Sequence, residues 1–431
     1  MIKGYDRLED FEKVKILDCL NTKENITLEE MDLRYKDEIY NFSKNVFINF
    51  KDTPKVILNC ITKEVEKLKT GYIIIDSIFT DKKEEIDEAL NYAEDFIENL
   101  GAVKVLICFR EKDKGVLESL GFKYSYRSYA MELIDNDLKA LELLNLEELN
   151  EKNQKEFIKI YNSAFNDMPH GCTLSEEECS NLLKEKDKSF IVKKGRESVG
   201  FLTLDIEKEN GKFDIGLDRK YRNRGLSKEL LETAIVNLKI RGVKTVSLIV
   251  IEKNKRAFEI YKRRGFEVKN TLGYWYEKSF LQDETLKEDM AKEACTWKYR
   301  GKYKVYNMSY REALIKKYSI GIKESREKEF IGYKLKDNLI GYGRVREYNN
   351  ECYIGIGIKP SLCGKGYGKF IMNDLINKAK ERYKDKDIVV EVRDFNKRAI
   401  KCYEKLGFRI IDVYEIIRGE RITFYKMKLI N

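Results

Sequence analysis

A long pattern occurs twice in this chain of 431 residues, and it limits the possible folds more than any other feature. Both occurrences end in a Gly-Phe pair, Gly265-Phe266 and Gly407-Phe408, and the pairs lie 142 positions apart. A glycine-containing stretch precedes each pair, around Gly225 and Gly366, and these glycines lie 141 positions apart. Because the spacing is kept over a whole domain length, the pattern predicts two domains of one fold.

A fainter trace of the same period lies upstream. Gly121-Phe122 precedes the next Gly-Phe pair by 144 positions, and it follows a predicted amphipathic helix over Glu85–Glu98 and a predicted strand over Val103–Phe109. The glycine-containing stretch is missing from this part of the sequence. We therefore predict three domains: a degenerate N-terminal copy over residues 1–136, a middle copy over residues 137–285 and a C-terminal copy over residues 286–431.

Strands and helices follow the same order in the middle and C-terminal copies. The middle copy has three predicted strands before the glycine-containing stretch, and a helix, a strand, a second helix and a closing strand after it. These elements are Ser189–Val192, Ser198–Glu207, Phe213–Leu217, Leu226–Ile240, Thr245–Ile251, Lys255–Arg264 and Tyr274–Ser279. The order is typical of an α+β domain in which helices flank a mixed, mostly antiparallel central sheet.

Composition argues against several classes of protein. The 83 basic and 74 acidic residues are interleaved, so the net charge of +9 indicates a solvated surface rather than a nucleic-acid-binding one. The apolar runs are strand-length, far below the ~20 residues that span a bilayer, and the N-terminus has no apolar core of a secretory signal. We expect a cytoplasmic protein with no nucleic-acid or membrane partner; a homodimer is compatible with the sequence.

Cysteine and histidine usage argues against metal chemistry. The nine cysteines form no Cys-x-x-Cys pair, which predicts reduced thiols and no zinc site. The single histidine, His170, lies in the turn-like segment Asp167–Gly171. A histidine-dependent catalytic triad is therefore not favoured.

The glycine-containing stretches are candidate phosphate-binding loops. Each follows a strand and opens a helix, where glycine allows a close backbone approach and the helix N-terminus attracts a pyrophosphate. The candidates in the middle copy are Arg222, Asn223, Arg224, Gly225, Leu226, Ser227 and Lys228. In the C-terminal copy they are Gly364, Lys365, Gly366, Tyr367, Gly368 and Lys369. For either stretch alone, a plain loop before a helix is the alternative.

An asparagine and a tyrosine recur at fixed distances after each stretch. Asn254 and Asn396 follow the glycines by 29 and 30 positions, and both come after an apolar strand and open a helix. Tyr261 and Tyr403 stand seven positions further, two helical turns along the same face. A core aromatic is the alternative for either tyrosine, but the recurrence beside the glycine loop favours a function such as acid catalysis.

Together these residues resemble the GNAT superfamily of N-acetyltransferases. The matching residues are Arg222, Gly225, Ser227, Asn254, Ala257, Tyr261, Gly265 and Phe266 in the middle copy, and Gly366, Gly368, Asn396, Ala399, Tyr403, Gly407 and Phe408 in the C-terminal copy. The resemblance covers residues 140–431 well and residues 70–134 poorly. It departs at Ser227, where the family has another small residue, and at Cys363, where the family's loop has Arg or Gln.

The resemblance implies that acetyl-CoA is the co-substrate and that it binds in a V-shaped gap between two splayed strands. The strand before each loop would present its backbone to the pantetheine arm, at Ile215, Gly216 and Leu217 or at Ile356, Gly357 and Ile358. Asn254 and Asn396 would bond near that arm, and the tyrosine would protonate the departing CoA thiolate. The family transfers the acyl group directly to an amine, so Cys363 is not expected to be a nucleophile.

The middle and C-terminal copies differ in a candidate base. Ribosomal-protein-type family members carry a glutamate a few residues before the asparagine, where this chain has Glu391 in the C-terminal copy and Ile249 in the middle copy. We therefore expect the C-terminal copy to be the main catalytic domain, with Tyr403 as general acid and Glu391 as general base. Tyr261 would act if the middle copy also turns over. A solvent-facing strand residue is the alternative for Glu391.

The expected function is acetyl-CoA-dependent transfer of an acetyl group to an amine. The resemblance to mycothiol-synthase-like and antibiotic-modifying tandem enzymes implies a small-molecule acceptor. A non-catalytic acyl-CoA-binding sensor or scaffold stays open, and so does an aminoacyl transferase of cell-wall precursors. The N-terminal copy has Arg110 and Leu117 at the offsets of the asparagine and the tyrosine, so we expect it to serve packing or the acceptor cleft without binding CoA.

Overall fold

The computed structural model describes residues 1–110, 115–134, 142–165, 168, 171–418 and 420–430. These residues form two compact units. The first unit comprises residues 1–97 and 105–278, and the second comprises residues 98–104 and 279–431. Asp167, His170 and the predicted domain boundary at residue 136 lie outside the described residues.

Over its described residues, the first unit contains a twelve-stranded sheet. Its strands are β1 (Ile2–Gly4), β2 (Val46–Phe50), β3 (Pro54–Ile61), β4 (Thr70–Ile78), β5 (Lys104–Phe109), β6 (Lys123–Leu133), β7 (Asn145–Glu148), β8 (Ser189–Lys194), β9 (Glu197–Glu207), β10 (Asn210–Leu217), β11 (Thr245–Ile251) and β12 (Phe266–Ser279). Their order across the sheet is β1-β2-β3-β4-β5-β12-β6-β11-β10-β9-β8-β7.

The two halves of this sheet exchange one strand each. β12, from the middle copy, lies between β5 and β6, and β6, from the N-terminal copy, lies between β11 and β12. Ala130 of β6 pairs with Ile249 of β11 on one side and with Asn270 of β12 on the other. Because a central strand needs hydrogen-bond partners along both edges, each half of the sheet depends on the other.

Helices cover both faces of the middle copy's half of the sheet. The helices up to residue 278 are α1 (Asp10–Leu20), α2 (Leu28–Tyr35), α3 (Lys63–Leu68), α4 (Lys83–Asn99), α5 (Val116–Ser119), α6 (Gln154–Phe165), α7 (Glu176–Leu182), α8 (Ser227–Ile240) and α9 (Lys255–Arg264). Phe190 and Val192 of β8 pack in a core with α8, whereas Ile191 packs in a second core with α6 and α7. Alternate residues of a strand point to opposite faces, so these two cores lie on opposite faces of the sheet.

The second unit contains a seven-stranded sheet over the part of the chain that is described. Its strands are β13 (Gln282–Thr285), β14 (Phe330–Leu335), β15 (Asn338–Tyr348), β16 (Glu351–Ile358), β17 (Ile388–Arg393), β18 (Phe408–Arg418) and β19 (Glu420–Leu429), in the order β13-β14-β15-β16-β17-β19-β18. Its helices are α10 (Glu288–Thr296), α11 (Tyr310–Ile315), α12 (Lys323–Glu329), α13 (Tyr367–Arg382) and α14 (Lys397–Lys405). Here β19, from the same copy, fills the position beside β17 that β6 fills beside β11.

Two cores also flank this second sheet. One contains Leu375 of α13 and Tyr403 of α14, and the other contains Met290 of α10 and Ala313 of α11. Val390 and Val392 of β17 belong to the first core, so Glu391 between them points to the opposite face.

The predicted fold class is confirmed: both sheets are mixed, mostly antiparallel and flanked by helices. The strand Thr245–Ile251 and the helix Lys255–Arg264 have the predicted bounds, and α4 contains the predicted helix Glu85–Glu98.

The predicted closing strand of the middle copy is too short, because β12 begins at Phe266 rather than at Tyr274. Residues 267–270, in its first half, are exposed, so apolar residues do not alternate there in the way that marks a strand in sequence. Residues 279–285, which we assigned to the middle copy, lie in the second unit, where β13 pairs with β14. The division into three copies stays a prediction, which the repeated strand order supports.

Candidate functional site

The candidate site of the middle copy is a gap between β10 and β11. Over the described residues, their parallel pairing covers Asn210–Lys212 and Thr245–Ser247. Beyond Lys212, β10 continues to Leu217 and β11 to Ile251 without further pairing between them among the described residues, and β11 pairs with β6 along its other edge. The backbone of Ile215, Gly216 and Leu217 therefore borders a gap between splayed strands, as the resemblance implies.

The C-terminal copy contains an equivalent gap between β16 and β17. The described parallel pairs there are Cys352 with Ile388 and Tyr353 with Val389. β16 continues to Ile358 while β17 pairs with β19. The gap is bordered by the predicted backbone at Ile356, Gly357 and Ile358.

A glycine turn followed by a long helix lies at the end of each gap. Gly225 has a φ of +87° before α8, and Gly366 has a φ of +93° before α13, a backbone conformation that favours glycine. A Cβ atom added at Gly225 or at Gly364 would meet no heavy atom within 4 Å, so the space beside these turns is open. The free amides of the helix N-termini, together with Lys228 or Lys369, suit a pyrophosphate.

Two arginines of the middle loop already have partners. The guanidinium of Arg222 donates a hydrogen bond of 2.6 Å to the carbonyl of Ala164 on α6, and the guanidinium of Arg224 lies over the ring of Tyr221 at 5.3 Å. The first contact ties the loop to α6, which flanks the same gap.

Both predicted asparagines cap helices. The side-chain oxygen of Asn254 accepts a bond of 3.3 Å from the amide of Ala257, and that of Asn396 accepts one of 3.3 Å from Ala399. This capping explains the Asn-x-x-Ala spacing and orients α9 and α14 at the edges of the gaps. Contact with the pantetheine arm stays a prediction.

Tyr261 of the middle copy packs against the core on the α8 face of the sheet, whereas Asp214, which alternates with Phe213 of that core, points to the opposite face. Tyr261 is half-buried, and burial raises its pKa, with a further contribution from the charge of Asp214 on β10. The Asp214 side chain is exposed at the gap. The protein around the carboxyl nevertheless desolvates it, which raises its pKa, and the charge of Asp205 raises this pKa further. An acid that holds its proton and a carboxylate with a raised pKa thus adjoin the same gap.

Two other groups lie near Asp214 on the α6 side. The hydroxyl of Tyr161 and the thiol of Cys172 are hydrogen-bonded at 3.6 Å. Burial raises the pKa of Cys172 to about 11, and the charges of Glu64 and Asp214 add to the increase. Asp214 also raises the pKa of Tyr161, after burial and Cys172. This side of the gap is therefore acidic and polar.

A buried ion pair fixes the helix that carries Tyr261. Arg264 at the end of α9 and Glu232 of α8 are both nearly inaccessible, and their closest nitrogen–oxygen distance is 2.6 Å. The C-terminal copy has Leu406 at the position of Arg264. The two copies thus fix the same helix by different chemistry.

The predicted catalytic pair of the C-terminal copy lies on opposite faces of its sheet. Tyr403 is buried in the core with α13, and burial raises its pKa, followed by contributions from Cys402 and Tyr306. Glu391 points to the other face, is exposed, and forms a hydrogen bond with Tyr414. A ligand in the gap could be reached from both faces, so the assignment of Tyr403 and Glu391 stays a prediction.

The C-terminal copy has a cavity of about 670 Å³ where the middle copy has Asp214. Gly355, the residue of β16 that corresponds to Asp214, lies at its wall with Tyr306, Phe330, Tyr342 and Arg344. Arg344 forms an ion pair with Glu329 and donates a hydrogen bond of 2.8 Å to Ser319. This cavity is aromatic, and its charged groups include a paired guanidinium.

A loop also contacts groups predicted to bind CoA in the C-terminal copy. The hydroxyl of Tyr299 donates a hydrogen bond of 2.8 Å to the carbonyl of Ile358, and Asn396 donates one of 3.2 Å to the hydroxyl of Tyr306. Tyr299 and Asn307 close this loop through two hydrogen bonds, of 2.7 and 3.2 Å. A pantetheine arm would have to share or displace these contacts.

Sequence reasoning missed Asp214, although a signal was present. Asp214 interrupts an otherwise apolar strand end, Phe213-Asp214-Ile215, a few residues before the glycine loop. A charged residue in an apolar strand end is a candidate base on the same grounds as Glu391. The tyrosines at 299 and 306 gave no such signal, because loop tyrosines are common.

Comparison with known proteins identifies the class that this fold and site define. The family model for the acetyltransferase (GNAT) family matches residues 146–266 and 291–408, together more than half of the chain. The chain therefore belongs to the GNAT acetyltransferase family, with the family's domain present twice.

Two relatives in sequence carry acetyltransferase names. An uncharacterized N-acetyltransferase of Methanocaldococcus jannaschii is 35% identical over 100 residues, which cover 21% of this chain and 44% of the relative. A mycothiol acetyltransferase of Propionibacterium freudenreichii is 24% identical over 150 residues, which cover 32% of this chain and 48% of the relative. The chain thus spans less than half the length of each of these relatives.

A solved structure with a similar fold is the GCN5-related N-acetyltransferase from Sphaerobacter thermophilus. It has a TM-score of 0.48 and 16% sequence identity, and the match covers 65% of this chain and 95% of that chain.

Among the described residues, no group of three or more His, Cys, Asp or Glu side chains could hold a metal ion. In the same part of the chain, every helix is too short or too polar to cross a membrane.

Proposed function

We propose that this protein transfers an acetyl group from acetyl-CoA to the amine of a small molecule, and that the middle copy carries out the reaction. The observation that supports this is that Asp214 of β10 and Tyr261 of α9 flank the gap between β10 and β11 from opposite faces of the sheet, and the charge of Asp214 adds to the raised pKa of Tyr261. The family supports acetyl transfer, and the acetyltransferase names of the two relatives support the donor.

The two residues can serve as base and acid in this reaction. Acetyl-CoA supplies a thioester, whose acetyl group the amine takes as the CoA thiolate leaves. A lysine-like amine has a pKa of about 10.4 and must lose a proton to attack. Asp214 is the base, because a carboxylate with a raised pKa is closer to the working pH than an ordinary one. Tyr261 keeps its proton at neutral pH and donates it to the leaving sulfur.

The C-terminal copy is a second candidate for the same chemistry. It has a glycine turn, Asn396 and the buried Tyr403, and Glu391 remains its predicted base. Its contacts from Tyr299 and Tyr306 favour a lower affinity for acyl-CoA than in the middle copy.

The test combines binding and turnover in the full-length protein. Titration calorimetry with acetyl-CoA gives the number of sites per chain, and a panel of primary amines then identifies the acceptor by release of free CoA. Binding with turnover supports the proposal. Binding without turnover of any amine would instead support the acyl-CoA-binding sensor or scaffold, and absence of binding would overturn both. Malonyl- and propionyl-CoA in the same assay distinguish acetyl from longer donors.

The remaining assignments are proposals of the same kind. We propose that residues 1–136 are a copy of the same fold that binds no CoA, and that the protein is cytoplasmic. A homodimer and an aminoacyl transferase of cell-wall precursors stay as alternatives, which light scattering and an assay with aminoacyl-tRNA address.

A further inference from the structure

A short turn of the middle copy lies beside the gap that contains Asp214. It covers residues 171–175, directly before α7, and we name it the acceptor turn. Its Cys172 interacts electrostatically with Asp214 and is hydrogen-bonded to Tyr161 of α6. The turn therefore borders the α6 side of the gap.

The N-terminal copy holds the acceptor turn through a buried carboxylate. Glu64 of α3 is only 3% exposed. One of its oxygens accepts a bond of 2.8 Å from the backbone amide of Thr173, and the Thr173 hydroxyl lies 3.1 and 2.9 Å from the two oxygens. Thr173 is itself 4% exposed. Burying a carboxylate is costly unless hydrogen bonds satisfy it, so this contact fixes the position of Thr173 closely.

Two more contacts from the N-terminal copy fix the ends of the turn. The hydroxyl of Tyr72 on β4 donates a hydrogen bond of 3.0 Å to the carbonyl of Gly171. Lys63 forms an ion pair with Glu178, which also caps α7 through Ser175. The turn is thus fastened before, at and after Thr173 by residues more than 90 positions away in the chain.

The middle copy secures the turn from the opposite side. Asn162 of α6 accepts a bond of 2.7 Å from the amide of Leu174 and donates one of 3.0 Å to its carbonyl. Together with Tyr161 and Cys172, these contacts place the turn between α6 and the N-terminal copy. A change at Glu64 would therefore move the wall of the gap without touching β10, β11 or the glycine loop.

We propose that Glu64 is a positioning residue for the amine acceptor: the N-terminal copy sets acceptor binding in the middle copy by fixing the acceptor turn through Thr173. The inference rests on the proposed function of the middle copy. It gives the N-terminal copy a role in selecting the acceptor, beyond completing the sheet.

Thr173→Val and Thr173→Ser form the matched pair that tests this. Valine keeps the shape and removes the hydroxyl, whereas serine keeps the hydroxyl. A hydrogen bond to a charged group is worth enough for about a tenfold change in an equilibrium. We expect Thr173→Val to raise the KM for the amine about tenfold and to leave the KM for acetyl-CoA unchanged. Thr173→Ser should stay close to wild type.

Glu64→Gln and hydrogen exchange supply an independent arm. Glu64→Gln should likewise raise the KM for the amine and leave the KM for acetyl-CoA unchanged. In the double variant Glu64→Gln/Thr173→Val, the change in amine binding free energy should be smaller than the sum of the two single changes. Amide exchange over residues 171–178 of the full chain should be faster in Thr173→Val than in Thr173→Ser, with exchange in α8 unchanged.

The outcomes are distinct. Equal amine KM values for the valine and serine variants would overturn the inference, and so would a parallel rise in the KM for acetyl-CoA or unchanged exchange over residues 171–178. If the wild-type protein binds acetyl-CoA but acetylates none of the amines, the proposed function fails first, and the inference fails with it.

Discussion

The middle and C-terminal copies build the same gap and line it with different chemistry. Both have splayed parallel strands, a left-handed glycine before a long helix, an asparagine cap and a tyrosine in the following helix. The middle copy has Asp214 on its central strand, and the C-terminal copy has Gly355 at that position. The comparison teaches that the repeated pattern contains residues of the fold and of the predicted CoA site, whereas residues that could select a reaction, such as Asp214, lie outside the pattern.

The two copies also differ in what covers the gap. In the middle copy the acceptor turn is hydrogen-bonded to Glu64 and Tyr72 of the N-terminal copy. In the C-terminal copy the corresponding loop lies on the gap itself, through Tyr299 and Tyr306. The N-terminal copy therefore contacts the segment beside one gap, whereas the C-terminal copy's own loop contacts the other gap.

The largest expected effect separates the two candidate bases. Asp214→Asn removes the base and keeps the shape, so we expect turnover to fall by about 10²–10⁴-fold while acetyl-CoA still binds. Because the base must be ionised, the wild-type rate should fall as the pH drops through the raised pKa of Asp214, and the variant should lose this acid limb. Initial rates measured against pH at saturating acetyl-CoA give both the loss of turnover and the acid limb of the profile.

Glu391→Gln is the matched control in the C-terminal copy. It should change turnover little if the middle copy carries out the reaction. A large loss with Glu391→Gln and none with Asp214→Asn would reverse the assignment in favour of the C-terminal copy, as first expected from the sequence.

The next effect separates the two candidate acids. Tyr261→Phe removes the phenolic proton and little volume, so turnover should fall by about 10²-fold with acetyl-CoA binding retained. The fall should be smaller when an acceptor assay uses a thioester with a more acidic leaving thiol, because that thiolate needs less protonation. Tyr403→Phe is the control, and it should cost less. If only Tyr403→Phe abolishes turnover, the C-terminal copy is the catalytic one.

The sequence predicted what is local and missed what the fold brings together. The glycine turns, Asn254 and Tyr261 were found because they recur at fixed spacing along short stretches. Asp214 and Tyr261 border one gap only because β10 and β11 splay apart, and periodicity carries no information on splaying. Glu64 and Thr173 are 109 positions apart, so no local pattern joins them.

The exchange of β6 and β12 was likewise beyond the sequence. Each strand has the composition expected of a strand in its own copy, and the choice of neighbour depends on the assembled sheet. The N-terminal copy therefore looked like a degenerate domain, although its β6 completes the sheet beside β11.

An intermediate effect compares the two donor sites. We predict two acetyl-CoA sites per chain, with the tighter one in the middle copy. Gly225→Asp and Gly366→Asp should each remove one site, because an aspartate strains the left-handed turn and repels a pyrophosphate. The strain alone is worth about 1–3 kcal/mol. Calorimetric titration of each variant gives the number and affinity of the remaining sites.

Gly225→Ala and Gly366→Ala are the controls for this comparison, since alanine adds the strain without the charge. They should weaken binding less than aspartate does. Equal losses with alanine and aspartate would mean that the turns are structural, and a native protein that binds no acetyl-CoA would refute both sites.

The smallest expected effect is on stability, and it tests whether Asp214 belongs to a site or to the scaffold. The folded state raises the pKa of Asp214 above the unfolded value of about 3.9. The folded protein therefore holds this proton more tightly, and the stability that results is lost as the pH rises from about 3.9 through the raised pKa. Above the raised pKa the ionised carboxylate opposes folding, so Asp214→Asn should slightly raise Tm there, and the difference should shrink as the pH falls. Asp205→Asn is the control. It removes the charge that adds to the raised pKa of Asp214, so the acid limb of its pH–rate profile should lie at lower pH than that of the wild type. Calorimetric melting of the variants between pH 4 and 8 gives the comparison. A lower Tm for Asp214→Asn at pH 7 would identify Asp214 as a hydrogen-bonded structural carboxylate, and the two copies would then differ in packing rather than in chemistry.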